Sequence, residues 1–374
     1  MNAIGLYYFS NSSASNLKET EKKHLGINPQ LVDLHINIWK VERGKFYLKP
    51  EIYIDFGIMS SFKVQKLCLY LPFGVKIYED LGKILNNKKK ELCAIFNDEL
   101  LPKPQRNGCY CKIEYEEPKA TNDFFLYELG EKNIEVVPQN GGTYVFITFE
   151  GYPNDKVKKT KWRNEKRYIR FRVKVEKREE ISITSHISND LLQAAFSMSD
   201  YYDIRVNEKR EIPDKVKEYM QSKNFKICKF TKVHLFYMAD SREKIENESS
   251  LKCDSRLLES CQWKDYEPKT VIYNPVFIAH HWKKRMKDGE DVLNNFSVFF
   301  NTIYPKLNIL RLISYLSVAI LLGCIGSILT NLNDKNLLSE DLCVLIIIIL
   351  FFYLVLYLVC TNFIFKLPRI FRKK

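Results

Sequence analysis

The 374-residue chain lacks the short signatures that mark the common enzyme chemistries. It has no G-x-x-x-x-G-K-[ST] loop to cradle phosphates, no G-x-G-x-x-G turn, no G-x-S-x-G elbow and no H-E-x-x-H helix. Metal-ligand spacing is missing too. Cys109-Tyr110-Cys111 is the one close cysteine pair, and no second Cys/His pair stands at the distance a four-ligand zinc centre needs. His24, His35, His186 and His234 are isolated, and His280 and His281 are neighbours whose side chains would point apart on a strand. Asp200 and Asp203 near Arg205 form an acid–base grouping, but spacing alone does not make a site of them. These absences argue against an enzyme and imply no cofactor and no metal.

There is no internal repeat and no low-complexity tract. The amino terminus has no positive n-region and too short an apolar core for a signal peptide. Ten cysteines are scattered along the chain, three of them (Cys324, Cys343 and Cys360) in its two C-terminal apolar runs, which fits a reducing compartment without a disulfide framework. Acidic residues are in short supply. Lys and Arg number 58 against 45 Asp and Glu, a net +13, of which +8 lies before residue 306. Such a surplus points to an anionic partner: a nucleotide, a nucleic acid or lipid headgroups.

Charge is absent altogether from two long stretches. Leu312–Leu332 runs 21 residues and Leu342–Phe365 runs 24, the second with 18 Leu, Ile, Val or Phe. About 20 apolar residues suffice for a helix to cross a bilayer, so the expectation is a transmembrane helical hairpin over 312–365. Lys306 and Arg311 precede it and Lys366, Arg369, Arg372, Lys373 and Lys374 follow. The loop between the runs is net negative through Asp334, Glu340 and Asp341. Positive flanks stay inside, which predicts a two-pass protein of the inner (plasma) membrane with both termini cytoplasmic.

The expected organisation is a strand-rich cytosolic domain over 1–294, with a subdivision near 151–166. A juxtamembrane amphipathic segment over 295–311, the hairpin over 312–365 and a basic tail over 366–374 complete it. Leu31–Trp39 alternates through Leu34, Ile36 and Ile38; Tyr47–Phe56, Lys63–Phe73, Thr143–Glu150, Arg167–Glu176, Tyr201–Val206, Lys226–Met238 and Thr270–Ala279 also read as strands. Thr143–Glu150 and Arg167–Glu176 would pair as a hairpin through the charged loop between them. A helix is expected from Asp80 to about Asn97 with a break near Asn86–Lys90, and short helices over Asn189–Met198 and Pro213–Met220. The fold class is α+β, a sandwich or distorted barrel followed by the membrane hairpin.

Three groups of residues are candidates for function. In Lys166–Lys174 the apolar Ile169, Phe171 and Val173 alternate with Arg170, Arg172 and Lys174, and Arg167 precedes them. Alternation on a strand sends these cations to one side, a row matched to phosphates, with Trp162 and Tyr168 nearby for stacking on bases. In the first apolar run Ala319, Gly323 and Ser327 recur every four residues with Gly326 beside them, and Tyr353 and Tyr357 make a matching stripe on the second. Small residues at that spacing let helices approach closely, in one protomer or between subunits. Phe296, Phe299, Phe300, Ile303 and Tyr304 fall at helical spacing. With Trp282, Lys283, Lys284 and Arg285 they read as a collar at the lipid headgroups.

This layout resembles the small membrane effectors of bacterial anti-phage defence, of the cyclic-oligonucleotide and retron types. The resemblance rests on the hairpin Leu312–Phe365, its orientation and the missing enzyme motifs. It implies a homo-oligomer that permeabilises the membrane by pore formation after a cyclic nucleotide, oligonucleotide or protein trigger. A membrane-tethered enzyme acting on lipid or nucleotide, or a structural anchor for a partner complex, are the alternatives.

Overall fold

In the computed structural model the described residues are 3–10, 30–41, 50–104, 110–116, 123–139, 141–149, 165–185, 196–259, 263, 265–268, 276–286, 292–305 and 309–334. The chain forms two units, Met1–His186 with Met198–Pro305, and Ile187–Ser197 with Lys306–Lys374.

The first unit is built almost wholly of strands. In chain order they are β1 (Gly5–Phe9), β2 (Leu31–Val41), β3 (Glu51–Ser61), β4 (Lys66–Leu71) and β5 (Val75–Asp80). Two short helices follow, α1 (Gly82–Asn86) and α2 (Lys89–Phe96), then β6 (Leu100–Pro104), β7 (Tyr110–Tyr115), β8 (Phe124–Tyr127), β9 (Ile134–Gln139), β10 (Gly142–Thr148) and β11 (Lys166–Val175). Next come β12 (Ser182–Ser185), β13 (Ser197–Val206), α3 (Asp214–Ser222), β14 (Lys226–Ile227) and β15 (Lys229–Asp240). The unit closes with β16 (Lys244–Asn247), β17 (Cys253–Leu257), β18 (Phe277–Arg285) and β19 (Phe296–Pro305).

These strands make three sheets. The largest has ten strands in the order β17-β18-β15-β2-β3-β11-β8-β7-β6, with β5 also pairing β11. A five-stranded sheet runs β14-β1-β4-β10-β9 and a four-stranded one β12-β13-β19-β16. One core joins all three. Leu34, Ile36 and Ile38 of β2, Ile54, Phe56 and Ile58 of β3 and Ile169, Phe171 and Val173 of β11 supply the large sheet's contribution. Leu67 and Leu69 of β4, Val145 and Ile147 of β10, Tyr202 and Ile204 of β13, and Phe296, Val298 and Phe300 of β19 meet them. The period-2 alternation of those strands puts each apolar set on one face. The other face of the large sheet carries a second cluster, with Trp39, Tyr53, Met59 and Tyr168 under Leu81, Leu85, Leu92, Trp263 and Tyr266.

Several expectations are corrected here. The segment 295–304 is strand β19, not an amphipathic helix. Its aromatics satisfy both spacings, but Phe296, Val298, Phe300, Thr302 and Tyr304 alternate inward and Phe296 and Phe300 are fully buried. Trp282 stacks on Phe300 with ring centroids 4.7 Å apart, so these residues are core, not a membrane collar. Lys283 and Arg285 do lie exposed, at the end of β18. Strands β10 and β11 form no hairpin, because β10 pairs β4 and β9 while β11 pairs β3, β5 and β8. The helix expected over Asp80–Asn97 is present as α1 and α2, interrupted at Asn87-Lys88, within the stretch where the sequence predicts the break.

The second unit contains α4 (Ile309–Asp334). Among the described residues no helix is long and apolar enough to cross a membrane. The expected hairpin, the two-pass inner-membrane placement and the pore are corrected accordingly. The second run of the expected hairpin, Leu342–Phe365, lies outside the described residues. Tyr315, Ser317, Gly323, Gly326, Ser327 and Thr330 interrupt the apolar residues of α4.

Candidate functional site

The basic strand β11 lies in the middle of the large sheet, and its three arginines are buried. Arg170 is 0% exposed, Arg172 3% and Arg167 3%. The alternation expected from the sequence holds: Tyr168, Arg170, Arg172 and Lys174 share one face and Ile169, Phe171 and Val173 the other. That face is not the solvent. Asp55 of β3 stands opposite Arg172 in register and grips it twice, Arg172 Nε to Oδ1 at 2.6 Å and Nη2 to Oδ2 at 3.0 Å. Lys174 pairs with Glu51 at 2.6 Å. Arg167 points the other way and donates to the Val64 carbonyl, its guanidinium 3.4 Å from the Phe149 ring centroid.

Arg170 lies at the centre of a hydrogen-bonded chain. It donates through Nε to the Tyr266 hydroxyl and through Nη1 to the Tyr168 hydroxyl at 2.7 Å. A guanidinium only donates, so each hydroxyl spends its own proton onward. Tyr266 donates to Asp55 Oδ2 at 3.0 Å, and Tyr168 donates to His35 Nδ1 at 3.3 Å. This assigns His35 the tautomer protonated at Nε2. Trp39 Nε1 closes the network on Asp55 Oδ2 at 2.9 Å. Burial works against the charge on Arg170, but Tyr168, Tyr266 and Asp55 outweigh it and hold the guanidinium above its ordinary value. Gly57 makes the reach from β11 to His35 possible. It stands between Arg170 and His35 in register, and a Cβ there would overlap the Tyr168 hydroxyl and lie 2.9 Å from Arg170 Nη1.

The same register line continues across three more strands, from Gly57 to His35 of β2, His234 of β15 and Lys283 of β18. The next line holds Asp55, Asn37, Phe236, His281 and, on β17, Asp254. Together they place three histidines from distant parts of the sequence side by side. His35 and His234 meet edge to face at 5.0 Å between centroids. His234 Nδ1 and His281 Nε2 are 2.9 Å apart with rings only 12° from coplanar, the geometry of an in-plane imidazole–imidazole hydrogen bond. His281 also stacks on Phe236 at 4.1 Å. Burial, followed by the neighbouring cations, lowers His281 to about 4; burial, then His281 and Lys232, lowers His234 to about 3. Both are neutral near pH 7.

At this end the row reaches the surface. Lys232, Lys283 and Arg285 share the face with His234 and His281, as their register requires. Lys232 is held by Asp33 at 3.4 Å and Lys283 lies 3.8 Å from Asp254. Arg285 is exposed and has no ion-pair partner among the described residues.

A second charged cluster is fully enclosed. Lys40 lies 3.2 Å from Asp200 and 2.9 Å from Glu243, and Arg178 also binds Asp200. Asp203 instead pairs with Arg205 at 2.7 Å on the outer side of β13, so Asp200 and Asp203 do not converge, in line with the sequence reading that made no site of them. No group of three or more metal-binding side chains occurs among the described residues. Among the described residues, nothing beyond the neighbouring backbone of α4 itself lies within 4 Å of the Cβ position at Gly323 or Gly326. Ala319 and Ser327 lie on the same helix, whereas Tyr353 and Tyr357 fall outside the described residues.

Sequence reasoning found the alternating cations of β11 but missed Asp55, Gly57, Tyr266 and the histidine row. An aspartate inside the apolar run Ile52–Phe56 was the available signal for the first. No family model and no curated protein matches the chain. The resemblance to membrane effectors loses the hairpin on which it rested.

Proposed function

We propose that the strand-rich unit is a recognition module for an anionic, phosphate-bearing ligand, bound where the imidazole row opens at Lys232, His281, Lys283 and Arg285. Its role is binding rather than catalysis. The observation that carries this reading is Arg285: an exposed guanidinium without a carboxylate partner among the described residues, beside two neutral imidazoles and two lysines. Neutral imidazoles donate and accept without adding charge of their own, while the cations supply attraction that salt screens. The strand β11 cations are spent on internal partners and are not part of this surface. A nucleotide or short oligonucleotide has the required chemistry.

The test is fluorescence anisotropy of the full chain with a fluorescein-labelled cyclic dinucleotide and, separately, a labelled ten-nucleotide single strand. Binding of either probe, weakened about tenfold or more by K283E/R285E and by raising salt, supports the reading. No binding of either probe at low salt, or binding indifferent to the double substitution, overturns it.

A further inference from the structure

The ten-stranded sheet has two ends, and they differ. At one end β6 carries Pro102 and Pro104, which cannot donate to a further strand. At the other end β17, Cys253-Asp254-Ser255-Arg256-Leu257, has no proline and, among the described residues, no paired neighbour beyond β18. Ser255, Arg256 and Leu257 are exposed, Leu257 to 58%. An open edge of this kind is a template for another strand.

The sequence of β17 also names its occupant. Placed antiparallel against a copy of itself about a two-fold axis through Ser255, the strand sets Asp254 opposite the partner's Arg256, and Arg256 opposite the partner's Asp254. Cys253 then faces the partner's Leu257. A two-fold axis normal to the sheet keeps every side chain on its own face, so both charge pairs form on the histidine side and both apolar pairs on the other. Arg256 has no ion-pair partner among the described residues, and Asp254 is shared by Lys252 at 2.8 Å and Lys283 at 3.8 Å, with its side chain 44% exposed. Opposite charges directly across an antiparallel pair stabilise it and like charges oppose it. A closed isologous contact uses one patch twice, and β17 is such a self-complementary patch.

We propose that two copies of this chain associate edge to edge through β17, joining their ten-stranded sheets into one continuous sheet across the two-fold axis at Ser255. The pairing does not rest on the anion site, although Asp254 also lies 3.8 Å from Lys283 of that site.

Sedimentation velocity of the full chain over a concentration series tests it, together with three charge variants. D254R places arginine against arginine, R256D places aspartate against aspartate, and D254R/R256D restores both opposite-charge pairs with their polarity reversed. The expected result is a wild-type dimer, a dimer dissociation constant raised about tenfold or more by each single variant, and recovery in the double. S255C should also crosslink between copies on mild oxidation, since residue 255 faces its own counterpart. A monomer at all concentrations, a dimer unaffected by the single variants, a double variant no better than either single, or no crosslink through S255C overturns the proposal.

Discussion

Arg172 and Asp55 form a buried bidentate pair between neighbouring strands, with contacts of 2.6 and 3.0 Å. The pair turns a strand that reads as a row of ligand-binding cations into an internal element. Two of its residues come from segments 117 positions apart.

Breaking that pair one side at a time should be severe. Asp55→Ala leaves Arg170 and Arg172 buried without their shared carboxylate, and a buried charge stripped of its partner costs about 3–5 kcal/mol. Urea unfolding of the single variant should move to much lower denaturant at unchanged m-value. A variant as stable as wild type would contradict the buried network.

Gly57→Ala should destabilise the protein by about 1–3 kcal/mol, because its Cβ would occupy the space of the Tyr168 hydroxyl. The change is small and apolar, and it sits in a strand interior where alanine is otherwise preferred to glycine. A stabilised G57A protein, read by thermal unfolding, would rule out the close approach of Tyr168.

The placement of β19 in the core makes Phe300 a stability residue. Phe300→Ala should cost about 3–5 kcal/mol, since the ring is fully buried between Trp282 and Tyr202. Thermal unfolding that is unchanged in F300A would contradict this and restore the exposed amphipathic segment.

The histidines predict acid sensitivity. Burial lowers His234 to about 3 and His280 and His281 to about 4, and holds His35 well below its ordinary value. An unfolded chain protonates them near 6.5. As pH falls from about 6.5 towards 4 the unfolded state takes up protons that the folded state refuses, so stability falls, by up to about 1.4 kcal/mol per pH unit for each histidine. Asp80 acts in the opposite sense: burial raises it to about 6 from 3.8, so its contribution weakens as pH rises through that range. Glu267, also raised by burial, acts in the same sense as Asp80, and four histidines against these two carboxyl groups set the net sign. Chemical denaturation at pH 7.5, 6.0 and 5.0 should give steadily lower stability, and a rise on acidification would contradict the neutral row.

Much of this fold was legible. The alternation of Leu34, Ile36 and Ile38, and of Ile169, Phe171 and Val173, fixes both the strands and their buried faces. The polar break between Asn86 and Lys90 was visible as a helix interruption. Residues 296–304 misled because phenylalanines at 296, 299 and 300 satisfy helical and strand spacing together, and only the tertiary partners Trp282 and Tyr202 decide between them. Strands β16 and β17 are short and polar and carry no periodic signal. The cations of β11 were assigned to one face correctly, but whether that face meets water depends on Asp55, Tyr266 and Glu51, which local sequence does not reveal. The histidine row is invisible for the same reason. His35, His234 and His281 become neighbours through strand order alone.

The division between enclosed and open cations is the claim on which the rest depends. Limited modification of the folded full chain with an arginine-selective dicarbonyl, mapped by peptide mass spectrometry, tests it directly. The account predicts rapid labelling of Arg285, with Arg167, Arg170 and Arg172 protected until the chain is unfolded. Labelling of Arg170 or Arg172 in the folded protein at the rate of Arg285 would contradict it.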